Sequence, residues 1–328
     1  QVERSKPLYG AFLMSIRFAS AASAVALAAC FATPAFAGEA AAAAVTPAAE
    51  TETEITVADT AALTPAVAPI AIADAMGQEE DTSQITISGA ATLTSDYRFR
   101  GVSQSDEGMA VQGGITISHD SGFYVGAWGS NLAGWGTFGG ANMELDLIAG
   151  FKVPVGEGTL DAGLTWYMYP SGASETDFAE LYAKLSGTAG PLGLTATVAY
   201  APKQEALGNW FPVGRPADPG DKEDNLYLAG DATYGIPDMP VTLKAHIGYS
   251  DGNPGLGPNG TSVAPTGTYF DWLLGIDIVP VSGLTLSAAY VDTDITESEA
   301  NLIRPNFATL DGNSISDATV VFSITASF

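Results

Sequence analysis

From Gln84 to its last residue the chain is built of alternating segments, and this limits its possible folds more than anything else in the sequence. The final segment, SDATVVFSITASF (316–328), sets the type. Phe328, Ala326, Ile324, Phe322 and Val320 are apolar, and Ser327, Thr325 and Ser323 between them are small and polar, with Val321 the exception. Period two marks a strand with one apolar face and one wetter face. Eleven further segments precede it, centred on 85–97, 110–118, 122–131, 142–152, 158–169, 177–187, 192–201, 225–235, 241–250, 269–279 and 283–293. Each runs for about 9 to 13 residues, the length a tilted strand needs to cross a bilayer, whereas strands of soluble proteins are nearer five or six.

The connections sort by length. After segments 2, 4, 6, 8 and 10 they are short: HDS, VPVGE, TAGP, IPDMP and PVS. After the odd-numbered segments most are long, as in 202–224 and 251–268. Tight turns on one side and long loops on the other are the pattern of an outer-membrane barrel, and a β-sandwich has no reason to sort its loops so. The expected fold is therefore all-β: an antiparallel transmembrane β-barrel of about 12 strands over 84–328, with short periplasmic turns and long extracellular loops. An aromatic last residue on an alternating strand also fits recognition by the outer-membrane assembly machinery, through Phe328.

Residues 14–37, MSIRFASAASAVALAACFATPAFA, carry Arg17, an apolar run of small residues and Ala35-Phe36-Ala37. That order reads as a secretory signal peptide cleaved after Ala37, which implies export across the inner membrane of a Gram-negative cell to its outer membrane. A spanning helix, or a lipoprotein whose Cys30 is lipidated, are the competing readings. Residues 1–13 read as an upstream segment without a part in the fold. Residues 38–83 are rich in Ala, Thr, Pro and Glu and hold no aromatic residue, which predicts a disordered periplasmic tether, with a contact to peptidoglycan or a partner as the alternative.

Cys30 is the only cysteine, so thiolate zinc sites, iron–sulfur clusters and cysteine nucleophiles are excluded from the barrel. The net charge is −25, and residues 84–328 hold 27 acids against nine lysines and arginines, a net of −18. Such a chain is not a nucleic-acid binder, and cations are its natural company.

The run SDYRFRG-SQ (95–104), then AVQGG (110–114), GFYVG-W-SN (122–131) and MELDLIAGFK (143–152) closely resembles the TorF family, porin-like outer-membrane proteins of largely unknown function. The resemblance covers the first four segments. It implies a barrel in the outer membrane and a channel role, and it carries no catalytic or ligand-binding residues.

Reading the alternation through points a set of charged residues into the lumen. The acids are Asp96, Glu144, Asp146, Asp161, Glu180, Asp231, Asp271 and Asp277; the bases are Arg98, Arg100, Lys152, Lys184 and Lys244, with His246 beside them. On the lipid side a Lys or Arg near the midplane would cost about 2–4 kcal/mol, so a wet interior is required. These residues either pair across the lumen and fill it, or line a polar pore whose excess of eight acids over five bases mildly favours cations. Arg98 and Arg100, on one face with Asp96, are expected to form a ladder opposite Glu144 and Asp146, either as a constriction or as a structural network holding the first loop.

No enzyme is expected, because neither His119 nor His246 has a nucleophile near an outer rim. No cofactor or metal site is expected either. Gly134–Gly139 fits G-x-G-x-x-G without the helix that motif needs, and 251–260 lacks the spaced carboxylates of a calcium loop. The acids Asp292, Asp294, Glu297, Glu299 and Asp311 of the last long loop suit divalent cations bridging to lipopolysaccharide, or simply a solvated loop. The function expected is an outer-membrane porin for passive diffusion of small solutes or ions. The alternative is a closed barrel that acts through its outer loops as an adhesin, receptor or anchor. Tyr167, Tyr169, Tyr182, Tyr227 and Tyr269, or an inward-folded loop such as 202–224, are the features that would fill the lumen.

Overall fold

A computed structural model of the chain describes residues 84–133, 140–172, 175–207, 222–252, 267–302, 307–309 and 312–328. The signal-peptide and tether readings, the Gly134–Gly139 motif, most of 202–224 and 251–268, and Asp311 lie outside the described residues.

The strands are β1 (Ile85–Thr94), β2 (Arg98–Phe99), β3 (Val102–Ser103), β4 (Ala110–His119), β5 (Phe123–Asn131), β6 (Met143–Val155) and β7 (Gly158–Met168). They continue with β8 (Phe178–Ala189), β9 (Leu192–Gln204), β10 (Glu223–Gly235), β11 (Val241–Gly252), β12 (Tyr269–Val281), β13 (Leu284–Thr293) and β14 (Thr319–Ser327). A short helix, α1 (Glu297–Leu302), lies between the last two. Twelve of the strands, β1 and β4 to β14, form one closed barrel in which each pairs antiparallel with its sequence neighbours and β1 pairs with β14. The barrel and its strand number match the sequence expectation. The two remaining strands, β2 and β3, form a hairpin of their own inside the connection from β1 to β4.

Closure rests on a close approach. From Ala90 to Thr94, β1 pairs with β14. Beyond Ala90, Gly89 and Phe328 exchange backbone hydrogen bonds of 2.8 and 2.9 Å. A Cβ on Gly89 would lie 2.6 Å from Cζ of the Phe328 ring and 2.9 Å from the Gly114 carbonyl oxygen, so glycine leaves the room in which the terminal phenylalanine lies across the seam.

The alternation of the sequence becomes the two faces of the wall. Ile87, Val125, Leu181, Leu274 and Phe322 face outward and are 57, 53, 53, 62 and 60 % exposed, while Thr116, Glu144 and Asp271 face inward at 3 % each. A soluble protein has the reverse arrangement. An apolar outer wall, with its backbone groups satisfied strand to strand around a closed ring, is what lipid demands. Aromatic pairs sit toward both rims: Phe123–Phe151 beside the short turns and Tyr249–Phe270 toward the long loops, each with ring centroids 4.8 Å apart. Near the long-loop rim, the Tyr200 and Tyr290 hydroxyls donate to Asp224 and Asp292, the half-apolar, half-wet placement of an interfacial belt.

Inside, large tyrosines lie over glycines. Tyr124 covers Gly150, Tyr182 covers Gly163 and Tyr227 covers Gly248, each so closely that a Cβ on the glycine would strike the ring or its hydroxyl. These pairs fill the pleat where a small barrel would otherwise be hollow.

Candidate functional site: a charged lumen crossed by the first loop

The connection after β1 turns inward. The strand ends at Thr94, earlier than the 85–97 segment read from sequence, and residues 97–105 are all buried. Arg98 pairs with Ser103 and Phe99 with Val102, so Arg100 and Gly101 form a two-residue turn with φ of 49° and 82°. Positive φ at both positions is the type I′ geometry that suits the twist of a hairpin. Gly101 is suited to it, and it also fits the packing, since a Cβ there would stand 3.0 Å from Asp271 Cβ and closer still to Thr293. Arg100 carries a side chain in a backbone region that costs of order 1–3 kcal/mol and persists only where the surroundings impose it.

Those surroundings lie on every side of the barrel. Tyr97 donates to Glu144 of β6 at 2.8 Å and packs edge-on against Trp128 of β5. Phe99 meets Tyr167 of β7 edge-on. Arg100 Nη2 lies 2.8 and 2.7 Å from the two carboxylate oxygens of Glu180 on β8, and its guanidinium stacks 4.1 Å from the ring centre of Tyr227 on β10. The Arg100 carbonyl accepts from Tyr269 of β12 at 3.1 Å. Arg98 donates to the carbonyls of Ile315 and Asp317, just before β14. A segment that touches β5, β6, β7, β8, β10, β12 and the approach to β14 of a closed ring lies across its lumen.

The arginines divide the work. Arg98, wholly buried, binds its own loop together besides reaching the approach to β14: Nε pairs with Asp96 at 2.6 Å, Nη1 reaches the Gly101 carbonyl at 3.0 Å and Nη2 reaches Glu107 at 3.2 Å. Asp96 also accepts from the Ser103 and Ser105 hydroxyls. Arg98 therefore shapes the hairpin and Arg100 fastens it to the wall. The ladder expected between these arginines and Glu144 and Asp146 does not form. The turn swings Arg100 toward β8, Glu144 takes the hydroxyls of Tyr97 and Tyr169 instead, and neither oxygen of Asp146 meets a hydrogen-bond donor among the described residues.

Beyond Arg100 the charges continue around the wall. The Tyr227 hydroxyl donates to Asp271 of β12, and His246 of β11 lies between Asp231 (Nδ1, 2.7 Å) and Asp271 (Nε2, 3.1 Å). Toward the short-turn rim, Lys244 pairs with Asp277 at 2.7 Å, and Ser287 also donates to that carboxylate. Lys152 lies 3.8 Å from Asp161, whose carboxylate accepts from Tyr124, which in turn is hydrogen-bonded to Tyr182. Lys184 lies over the Tyr182 ring. Of the fourteen charged or ionisable residues read from sequence, eleven lie on barrel strands and three, Asp96, Arg98 and Arg100, in the connection from β1 to β4. Near the short turns, a cavity of about 230 Å³ is lined by Glu157, Thr159, Ser186, Thr195, Asp231 and Thr233.

The two halves of the lumen differ. Toward the long loops, Tyr97, Phe99, Leu132, Tyr167, Tyr169, Phe178 and Leu207 form a buried cluster, which includes Tyr167 and Tyr169 of the five tyrosines named from sequence. Among the described residues the loop found inside is the first, and of 202–224 Ala206 and Leu207 join the same cluster. Tyr182 lies in the other half, over Gly163. A second buried cluster joins Val102 of the hairpin to Tyr269, Ile295, Ala300, Phe307 and Ile315 around α1. Sequence reasoning missed Tyr97, Trp128, Ser103, Ser105 and Glu107. The available signal was Arg100-Gly101 between two short β-prone pairs, the pattern of a tight hairpin.

No curated protein sequence matches the chain. Among solved structures, a KdgM porin aligns with a TM-score of 0.44 at 8 % identity, over 74 % of this chain and 98 % of the porin. An outer membrane channel from Pseudomonas putida F1 aligns with a TM-score of 0.39 at 10 % identity, over 77 % of this chain and all of that one. At that distance the likeness is one of barrel architecture, and nothing about solute follows from it. The sequence itself is matched over residues 78–328, the whole barrel, by the model of one family, and the chain belongs to it: Gcw_chp, bacterial proteins of unknown function.

Proposed function

We propose that the protein is a channel of the Gram-negative outer membrane, through which small solutes or ions diffuse passively and cations are mildly favoured. The observation that carries this reading is the contrast between an apolar outer wall and a lumen lined by Asp96, Glu144, Asp146, Asp161, Glu180, Asp231, Asp271 and Asp277 against five bases and His246. Arg98–Asp96 and Arg100–Glu180 hold the first loop, but anchoring a loop does not call for the further acids Asp146, Asp161, Asp231, Asp271 and Asp277, which are costly to desolvate. In a pore they set the field that a passing ion meets. The hairpin 95–109 is its constriction, and the TorF-like run SDYRFRG-SQ is this same hairpin. The reading is non-enzymatic: the partners of His246 are Tyr227, Asp231 and Asp271, a set that holds charge without activating a nucleophile. Signal-peptide export, assembly through Phe328, and contact of the outer acids with lipopolysaccharide complete the proposal.

The test is planar-bilayer recording of the protein extracted from outer membranes. Discrete steps with a cation-favouring reversal potential in a salt gradient are expected. A second reading is favoured by the buried aromatic cluster toward the long loops: a closed barrel acting through its loops. A folded protein that never conducts would select it.

A further inference from the structure

Among the described residues, Asp146 is a carboxylate of the lumen that meets no hydrogen-bond donor on either oxygen. It is wholly buried. On β6 it stands two residues from Glu144, which is 3 % exposed and accepts from the Tyr97 and Tyr169 hydroxyls. Glu180 is on β8, and Arg100 is committed to it. Across the strands, Asp146 is flanked by Trp128 of β5 and Tyr167 of β7. A bare carboxylate in such a place is among the most costly groups a protein can bury, so it is neutralised either by a proton or by a bound cation.

We infer that Asp146 and Glu144 form a binding site for a single monovalent alkali cation. The donor chemistry fits. Two carboxylates two residues apart on one strand supply hard oxygens, the donor type that alkali cations take. A calcium or magnesium site would gather several carboxylates and carbonyls at fixed distances. Among the described residues no group of three His, Cys, Asp or Glu is placed to hold such an ion. The site lies beside the hairpin that crosses the lumen. If the proposed channel conducts, a cation therefore pauses at its narrowest level. The inference deepens that reading, but occupancy can be read without any current.

The experiment follows the unfolding midpoint of the full detergent-solubilised protein in KCl, NaCl or N-methyl-D-glucamine chloride at constant ionic strength. The midpoint is expected to rise with the logarithm of K⁺ or Na⁺ concentration and to stay flat in the bulky organic cation, because a ligand that binds only the folded state stabilises it by mass action. Asp146→Asn is expected to abolish the alkali dependence while raising the midpoint in the organic cation, since a neutral amide replaces an unmatched charge. Glu144→Gln is expected to shift the dependence to higher cation concentration. A wild-type midpoint equal in all three salts, moved only by pH, would mean that a proton neutralises Asp146, and the inference falls. An alkali dependence that survives in Asp146→Asn overturns it as well. A silent bilayer alongside an intact alkali dependence would instead count against the channel and leave the site standing.

Discussion

At the scale of single residues, Arg100 holds the hairpin against the wall, and the prediction about it is energetic. Removing one partner of a buried ion pair strands the other and costs about 3–5 kcal/mol. Arg100→Ala and Glu180→Ala are each expected to destabilise the protein by that order in urea titration, and the double variant by clearly less than the sum. Arg100→Gly is expected to cost about 1 kcal/mol less than Arg100→Ala, because glycine accepts φ of 49° without strain. Equal costs for the two would mean that the turn stores no strain. The composition of the lumen was legible at this scale, since alternation fixes which face a strand residue takes. The pairings were not. Asp96, Arg98 and Arg100 share a parity that would align them on a continued strand, but the chain leaves the strand at Thr94, and after a turn parity no longer says where a side chain goes. Hence Arg100 was expected against β6 and is found on β8.

At the scale of elements, the barrel and its hairpin are separable. Closure of the twelve-strand ring involves β1, β4 and β14, and none of those pairings uses residues 98–103. Replacing 98–103 by two glycines is therefore expected to leave the β-sheet circular dichroism and the heat-shifted gel migration of the barrel unchanged. Conductance should increase several-fold. If the shortened protein fails to fold, the hairpin is a core of the structure and not an insertion into it. The strands themselves could be read from sequence because a barrel wall imposes two unlike solvents on alternate residues. The inward course of the first loop could not, because a loop's destination depends on what waits at the wall: Glu144, Glu180, Tyr227 and Tyr269 come from four different strands.

For the whole molecule, closure and field are the two properties to test. Phe328 lies across Gly89 at the seam, so Gly89→Val and removal of Phe328 are both expected to lower the fraction of folded barrel recovered from membranes, with little effect on the conductance of the molecules that do close. The proposed cation preference is expected to weaken with salt, as the Debye length falls from about 10 Å at 0.1 M to about 3 Å at 1 M. The measurement that tests the central claim most directly is single-channel recording of the wild type beside the variant lacking 98–103, in a KCl gradient centred near 0.1 M. Small, steady, cation-favouring steps that grow several-fold when the hairpin is removed are the predicted result. Silence from both proteins, or identical steps from both, would contradict a pore constricted by its first loop.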